Sequence, residues 1–275
     1  MTINGNAKIF YTNYLIGSQL QTATATTGDV EATYDNNPES FWISVASTDL
    51  ITETIEYTFA ESMNIDRILL VYQNWKLFNC QYWTGAAWAD FTNVSDQPEG
   101  SLGTGISYTA NAEDVIFFEF DSVATTKIRF EVTKTFVVDD EKTIADVFIS
   151  LEMGTFIDDI ASKPNKLTFE WITGEKIQKL SNQGSKLLLK GDKVKLKLKI
   201  KQLWEVTDIQ LIKDMFSLRE CAILLGGGCC GNYTHDGWRL QDVYNCVVSK
   251  SKSATHNVGR DKDMGYDYKF ELLEV

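Results

Sequence analysis

Apolar and polar residues alternate with period two over much of the first 150 positions. Residues 51–59 read I-x-x-x-I-x-Y-x-F, residues 115–120 and 127–132 continue the pattern, and residues 65–72 form a β-rich apolar run. Several short strands separated by turn clusters predict an all-β sandwich. Residues 81–91, QYWTGAAWADF, predict a hairpin: two aromatic-rich arms flank Gly85, with Trp83 and Trp88 placed to pack across the pair. Exposed, these indoles suit stacking on sugar rings. Buried, they are ordinary core, the commoner fate of tryptophan.

Past a break at residues 155–164, which carry Asp158-Asp159 and then Pro164, the pattern changes. Residues 193–201, KVKLKLKIK, alternate strictly, with Val194, Leu196, Leu198 and Ile200 on one face and five lysines on the other. A basic strand that reads nucleic acid needs arginines or aromatics among its charges, and this one has only lysines. A solvated or edge-protecting face is the expectation, and nucleic acid is not an expected partner. Residues 206–220 predict an amphipathic helix, with Ile209, Ile212, Met215 and Phe216 at helical spacing and Thr207 or Asp208 near its start. A strand at 221–225, a loop at 226–237, a strand at 238–248, a charged loop at 250–263 and a strand at 266–275 complete the chain. Trp204, Phe216 and the apolar face of 193–201 supply the core of this second module.

Charge sharpens the division. The chain has 275 residues and a formal net charge of −12; residues 1–162 hold 7 Lys+Arg against 24 Asp+Glu, leaving 19 against 14 for the rest. Two modules of opposite charge are predicted, at residues 1–155 and 164–275. With 44% apolar residues the chain can build packed cores. No basic and apolar leader opens the sequence, and no apolar run approaches the ~20 residues of a membrane helix, so a cytoplasmic product without a membrane partner is expected. The five cysteines lack disulfide-framework spacing, which predicts reduced thiols.

Chemistry concentrates in residues 31–44, EATYDNNPESFWIS. The short side chains of Asp35, Asn36 and Asn37 fold onto neighbouring backbone, and Pro38 excludes helix at Asn37, so a strand end, a rigid turn and a second strand are predicted. The oxygen donors suit a structural cation; the alternative is an Asx-turn without metal. Ala32-Thr33-Tyr34-Asp35 followed by Ser40-x-Trp42 resembles the signature of discoidin-like (coagulation factor type C, galactose-binding) domains, with Asn36 in place of the family's glycine. Residues 144–154 are similar to that family's final strand, where an Ala-Glu-hydrophobic triplet supplies a carboxylate beside the cation loop; Ala145-Asp146-Val147 stands there with Asp for Glu. The resemblance implies a mainly β fold, an N-terminal jelly-roll sandwich, and structural Ca2+ held by Asp35, Asn37, Ser40 and Asp146. Where family members bind sugars they use loop aromatics and polar groups, which implies Trp75, Phe78 and Asn79 here.

Residues 8–27, KIFYTNYLIGSQLQTATATT, are similar to the opening of discoidin-like domains in bacteriophage structural proteins. Residues 164–275 resemble the small β-sandwich domains with one packed α-helix of phage tail tube and distal tail proteins. These similarities imply a bacteriophage virion structural protein of the tail or baseplate, assembled in the host cytoplasm and acting with other virion proteins and its own copies. The alternative is a carbohydrate-binding module protein serving adhesion to a host or cell surface. Charge asymmetry assigns assembly to Lys195, Lys197 and Lys199 against an acidic neighbour. Catalysis is not expected: Gly226-Gly227-Gly228 lacks a following Gly-Lys-Ser/Thr, Cys229, Cys230, His235 and Cys246 form no C-x-x-C, and no nucleophile motif accompanies His235 or His256.

Overall fold

The computed structural model describes residues 7–10, 13–35, 37, 40–45, 48–94, 105–150, 166–179, 185–203, 220–225, 243–257 and 265–274, with side chains for those between 13 and 150. The expected linker, residues 206–219 of the helix expected at 206–220, with Phe216, the 226–237 loop with Cys229, Cys230 and His235, and Trp204 lie outside the described residues, while Glu220, the expected last residue of that helix, begins a strand. The chain forms two units, one of Thr12–Glu152 and one of Met1–Tyr11 with Met153–Val275.

In the first unit the strands are β2 (Leu20–Ala25), β3 (Trp42–Ile43), β4 (Glu53–Val71), β5 (Trp75–Trp83), β6 (Trp88–Asp90), β7 (Ile106–Tyr108), β8 (Ile116–Thr135), β9 (Thr143–Ile144) and β10 (Asp146–Ser150). The apolar segments 51–59 and 65–72 are two halves of β4, and 115–120 and 127–132 are two halves of β8. These two strands pair antiparallel from Glu53↔Val132 to Leu70↔Ile116, with register shifts between Thr58 and Met63 and between Ile65 and Arg67. The shifts interrupt the alternation midway, which is why each strand reads as two in the sequence. On its far side β4 carries β2 along one half and β10 along the other, while β5 pairs with β8 and carries β6 and β7. Ile55 and Tyr57 from one half of β4 share a single buried cluster with Ile68 and Leu70 from the other, so the sheet closes over one core.

In the second unit, β1 (Ala7–Phe10), β11 (Lys166–Lys179), β12 (Ser185–Leu203), β13 (Glu220–Leu225), β14 (Val243–Asn257) and β15 (Gly265–Glu274) form one antiparallel sheet in the order β1-β13-β14-β15-β12-β11. Three expectations change here. Residues 7–10 pair with β13 in this unit, whereas the sequence reading put them in the first module. Residues 250–257, read as part of a charged loop, continue β14 against β15. The lysine-bearing strand β12 lies between β15 and β11, so its lysines are not protecting an edge. The expected small sandwich is, among the described residues, this single six-stranded sheet.

The segment before Asp35 is a 3-10 turn, Val30–Thr33, where the sequence reading had a strand end. Asp29 caps it by accepting the Glu31 amide at 3.0 Å, and the Thr33 hydroxyl donates to the Val30 carbonyl at 2.7 Å. Trp42 is fully buried; its indole donates to the Thr27 carbonyl at 2.7 Å and meets Trp75 edge-on at 6.3 Å. Gly28 makes room for it. At φ 77° a Cβ there would sit 2.3 Å from the Ile43 carbonyl oxygen and 2.8 Å from the Trp42 indole nitrogen. Gly28→Ala should therefore destabilise the first unit by about 2–4 kcal/mol, combining backbone strain with a displaced core tryptophan. Gly85→Ala, at φ 94° with nothing within 4 Å of the new Cβ, should cost only the backbone strain of about 1–2 kcal/mol. Thermal melts of the two variants check this, and equal losses would refute the role given to Gly28.

Candidate functional site

The hairpin β5–β6 is built from its turn outwards. Gly85 takes the positive φ, the Thr84 hydroxyl accepts the Ala87 amide at 3.1 Å, and the Thr84 amide donates to the Ala87 carbonyl at 3.0 Å. This register sets Trp83 opposite Trp88 and Gln81 opposite Asp90. On β5, Phe78 and Cys80 point into the core and Asn79, Gln81 and Trp83 point outward, half-buried; burial pushes the Cys80 thiol well up. On β8, Ile128, Phe130 and Val132 are buried while Lys127, Arg129 and Glu131 lie on that same outer face. Pairing then aligns Glu56, Arg129, Gln81 and Asp90 in one row across four strands.

Arg129 organises this row. Its Nε and Nη2 donate to Gln81 Oε1 at 3.1 and 2.7 Å, its Nη1 lies 3.3 Å from Glu131 Oε1, and its guanidinium carbon sits 4.5 Å from the Trp88 ring centroid. Gln81 passes the order on by donating from Nε2 to Asp90 Oδ1 at 2.8 Å. Trp83 meets Trp88 edge-on at 5.4 Å, and Lys127 pairs with Glu56 at 2.8 Å. Of the five guanidinium N–H donors three are committed, so two remain to extend the network. The result is a fixed strip of planar polar groups beside two half-buried indoles, chemistry that matches the hydroxyl edges and C–H faces of a sugar ring.

The sugar contacts inferred from sequence are placed differently. Trp75 and Phe78 are 0% and 1% exposed, so neither can stack on a ligand. Residues three apart should point to opposite faces of a strand, but β5 shifts register between Trp75 and Leu77 and again between Leu77 and Phe78, which turns both rings inward. They pack on each other at 5.6 Å, and Phe78 stacks on Tyr108 at 5.0 Å. Asn79 is on the outer face, paired in register with Glu131 and Ser107. Trp83 and Trp88 pack across the hairpin as anticipated, half-buried rather than core. Sequence periodicity places Gln81 with Trp83 and Asp90 with Trp88, but the pairing that adds Arg129 and Glu131 comes from β8, some forty residues away, and has no local signal.

At the oxygen-rich turn, Asp35 Oδ1 accepts the Asn37 amide at 2.9 Å and the Ser40 amide donates to the Asn37 carbonyl at 2.9 Å. Asp35 and Asn37 are exposed, whereas Asp146 is buried in β10 near Tyr57. Burial above all pushes the Tyr57 phenol up, and the Asp146 carboxylate adds to it. Among the described residues no three Asp, Glu, His or Cys side chains converge as a metal site. The geometry at Asp35 fits an Asx-turn, and calcium enters no further step.

No family model matches the chain. No curated protein matches it either. Solved structures similar to it include chitosan-binding module 1 from a chitosanase/glucanase of Paenibacillus sp. IK-5, at 13% identity over 50% of this chain and 98% of that one, TM-score 0.40. A pectin binding carbohydrate binding module is 16% identical over 49% of this chain and 92% of its own, TM-score 0.35. The module CpGH89CBM32-6 of Clostridium perfringens is 11% identical over 51% of this chain and 100% of its own, TM-score 0.39. Similarity at this level says nothing of what this chain binds. None of these three is a virion protein, and the bacteriophage expectation draws no support from them.

The turn has its own test. Asparagine keeps the acceptor, so Asp35→Asn should melt with the wild type, while Asp35→Ala should lose about 1 kcal/mol with the lost hydrogen bond. Both differences should be the same in calcium and in chelator. A calcium-dependent rise in melting temperature that Asp35→Asn abolishes would instead identify a bound cation.

Proposed function

We propose that the unit of Thr12–Glu152 is a carbohydrate-binding module with a binding rather than catalytic role, and that the glycan lies across the outer face of β6, β5 and β8. The observation that carries the reading is the half-buried Trp83–Trp88 pair held against the ordered Arg129–Gln81–Asp90 strip. An ordinary solvated sheet face has no need to hold an arginine by an amide, a carboxylate and an indole together. Here these groups are arranged before any ligand arrives, which lowers the entropy lost on binding.

Charge narrows the ligand. Glu56, Asp90 and Glu131 outnumber Arg129 and Lys127 on this face, and the surrounding sequence is strongly acidic. Neutral or amino sugars fit such a field, and uronate or sulfated polymers are repelled by it. Hydroxyl pairs can accept the two remaining Arg129 donors while donating to Asp90 and Glu131, with a sugar face against the exposed part of an indole.

Binding of the full chain to a panel of neutral, amino and uronic oligosaccharides, followed by calorimetry on the best, tests this. Trp88→Ala and Gln81→Ala should each weaken binding about tenfold, the equivalent of ~1.4 kcal/mol, without lowering the melting temperature enough to unfold the unit. Leu50→Ser, on the end of the unit away from β6 along β4 and β8, should bind as the wild type. The reading fails if no oligosaccharide binds, or if the one that binds is indifferent to both face variants.

A further inference from the structure

Among the described residues eight large apolar side chains are exposed, and all but Ile16 fall in residues 41–51 and 137–138. Leu50 is 91% exposed, Val45 77%, Val138 70% and Val137 65%. These are not loose tips. The Ser44 amide donates to the Lys142 carbonyl at 2.9 Å, the Asp49 amide to Asp139 Oδ1 at 2.9 Å, and the Thr135 amide to Asp49 Oδ1 at 3.3 Å. Lys142 is buried and donates from Nζ to the Thr48 carbonyl at 3.1 Å. Asp139 holds a left-handed φ of 59°, and the Asp140 amide donates to the Val137 carbonyl at 3.3 Å. Two loops at one end of the unit are thus laced together so that aliphatic side chains project from a fixed platform. An apolar cluster held in this way marks an interaction surface.

Acidic groups predominate beside it: Asp139, Asp140 and Glu141 are exposed next to Val137 and Val138, against one exposed cation, Lys134, and Asp49 beside Leu50 is engaged within the platform. An anionic bilayer is repelled by that rim, and an apolar surface bearing cations is attracted. The chain carries such a surface itself. On β12, Lys193, Lys195, Lys197 and Lys199 alternate and so share one face of the sheet. Their register partners include Ile172 beside Lys193, Leu273 and Glu170 beside Lys195, Glu271 beside Lys197, and both Lys166 and Lys269 beside Lys199, so six lysines stand against two glutamates. Because β12 is an interior strand, these lysines are not explained as edge protection.

We infer that a second copy of this chain is the occupant: the acid-rimmed apolar end of one copy seats on the lysine-bearing face around β12 of the next. The contact joins two different patches and is therefore heterologous, which propagates into rings or open arrays.

Sedimentation velocity on the full chain tests it, with Leu50→Ser/Val137→Ser/Val138→Ser as the apolar variant, Asp140→Lys/Glu141→Lys as the rim variant and Lys195→Glu/Lys197→Glu/Lys199→Glu as the sheet variant. Asp49 and Asp139 are kept so that the loop bonds survive. The wild type should self-associate with concentration and dissociate in raised salt. Each variant should weaken association about tenfold or more at an unchanged melting temperature. Combining the rim and sheet reversals should restore it. A wild type that stays monomeric at every concentration and salt overturns the proposal, as does association that ignores the apolar and rim variants, which do not touch β12. Flotation with phosphatidylcholine vesicles that the apolar variant abolishes would assign the end to a lipid surface and overturn it equally. Sugar binding at the β5–β6–β8 face is read separately and is untouched by these outcomes.

Discussion

The antiparallel pairing of β4 with β8 is the constraint on which the first unit depends. It runs from Glu53↔Val132 to Leu70↔Ile116, so nearly every other strand is an attachment to one of these two: β2 and β10 to β4, β5 to β8, and β6 and β7 through β5. Strand pairing fixes side-chain faces as well as backbone. A slip of one residue would carry Ile55, Tyr57, Ile128 and Phe130 to solvent and bring Glu56 and Arg129 into the core. The buried cluster therefore sets the register, and the register sets which polar groups meet outside. Further along at this same end of the pair, Asp49 just before β4 accepts the Thr135 amide that ends β8, so the apolar platform is fixed by the same two strands.

Much of this is legible in the sequence where the signal is local. The hairpin at residues 81–91 is announced by Gly85 between two aromatic arms, and Trp42, the large aromatic that follows the polar turn, is a buried anchor. What fails is non-local. The resemblance implies Trp75 and Phe78 as sugar contacts, yet the doubled register shift in β5 turns both into the core, and strict alternation along the strand gives no sign of that shift. Arg129 carries no mark until β8 is laid beside β5. Residues 7–10 join β13 across more than two hundred residues of chain, a pairing whose long loop closure leaves no trace in composition. The alternation at 193–201 identifies the strand and its two faces but not its interior place in the sheet.

The turn at Asp35 shows how one donor set supports two readings. Oxygen-rich residues on a short loop satisfy a cation or satisfy the backbone, and the two compete for the same lone pairs. Asp35 Oδ1 accepts the Asn37 amide and the Asn37 carbonyl accepts the Ser40 amide, the bonding of an Asx-turn followed by a second turn. Asp146, the carboxylate that resemblance adds to the set, stands in a different environment, buried beside Tyr57, whose phenol is pushed up above all by burial and a little further by Asp146.

Acidity on the first unit has different consequences at its two surfaces. On the outer sheet face the carboxylates of Glu56 and Glu131 have cations within ion-pair distance, and Asp90 accepts from Gln81; in the binding role proposed for this face, their excess charge would act mainly at a distance, by sorting which sugars approach. At the loop end Asp139, Asp140 and Glu141 outnumber the exposed Lys134, while the nearby Lys142 is buried and spends its ammonium on the Thr48 carbonyl. Unbalanced charge around exposed aliphatics keeps identical ends apart while leaving them attractive to a basic surface. That combination disfavours a symmetric pair joined end to end, since like charges would then be desolvated against each other, and it favours contact with a chemically different patch. The same arrangement of Leu50, Val137 and Val138 with neutral neighbours would instead be a self-adhesive patch. The acidic rim is thus what turns an apolar end into a directional one.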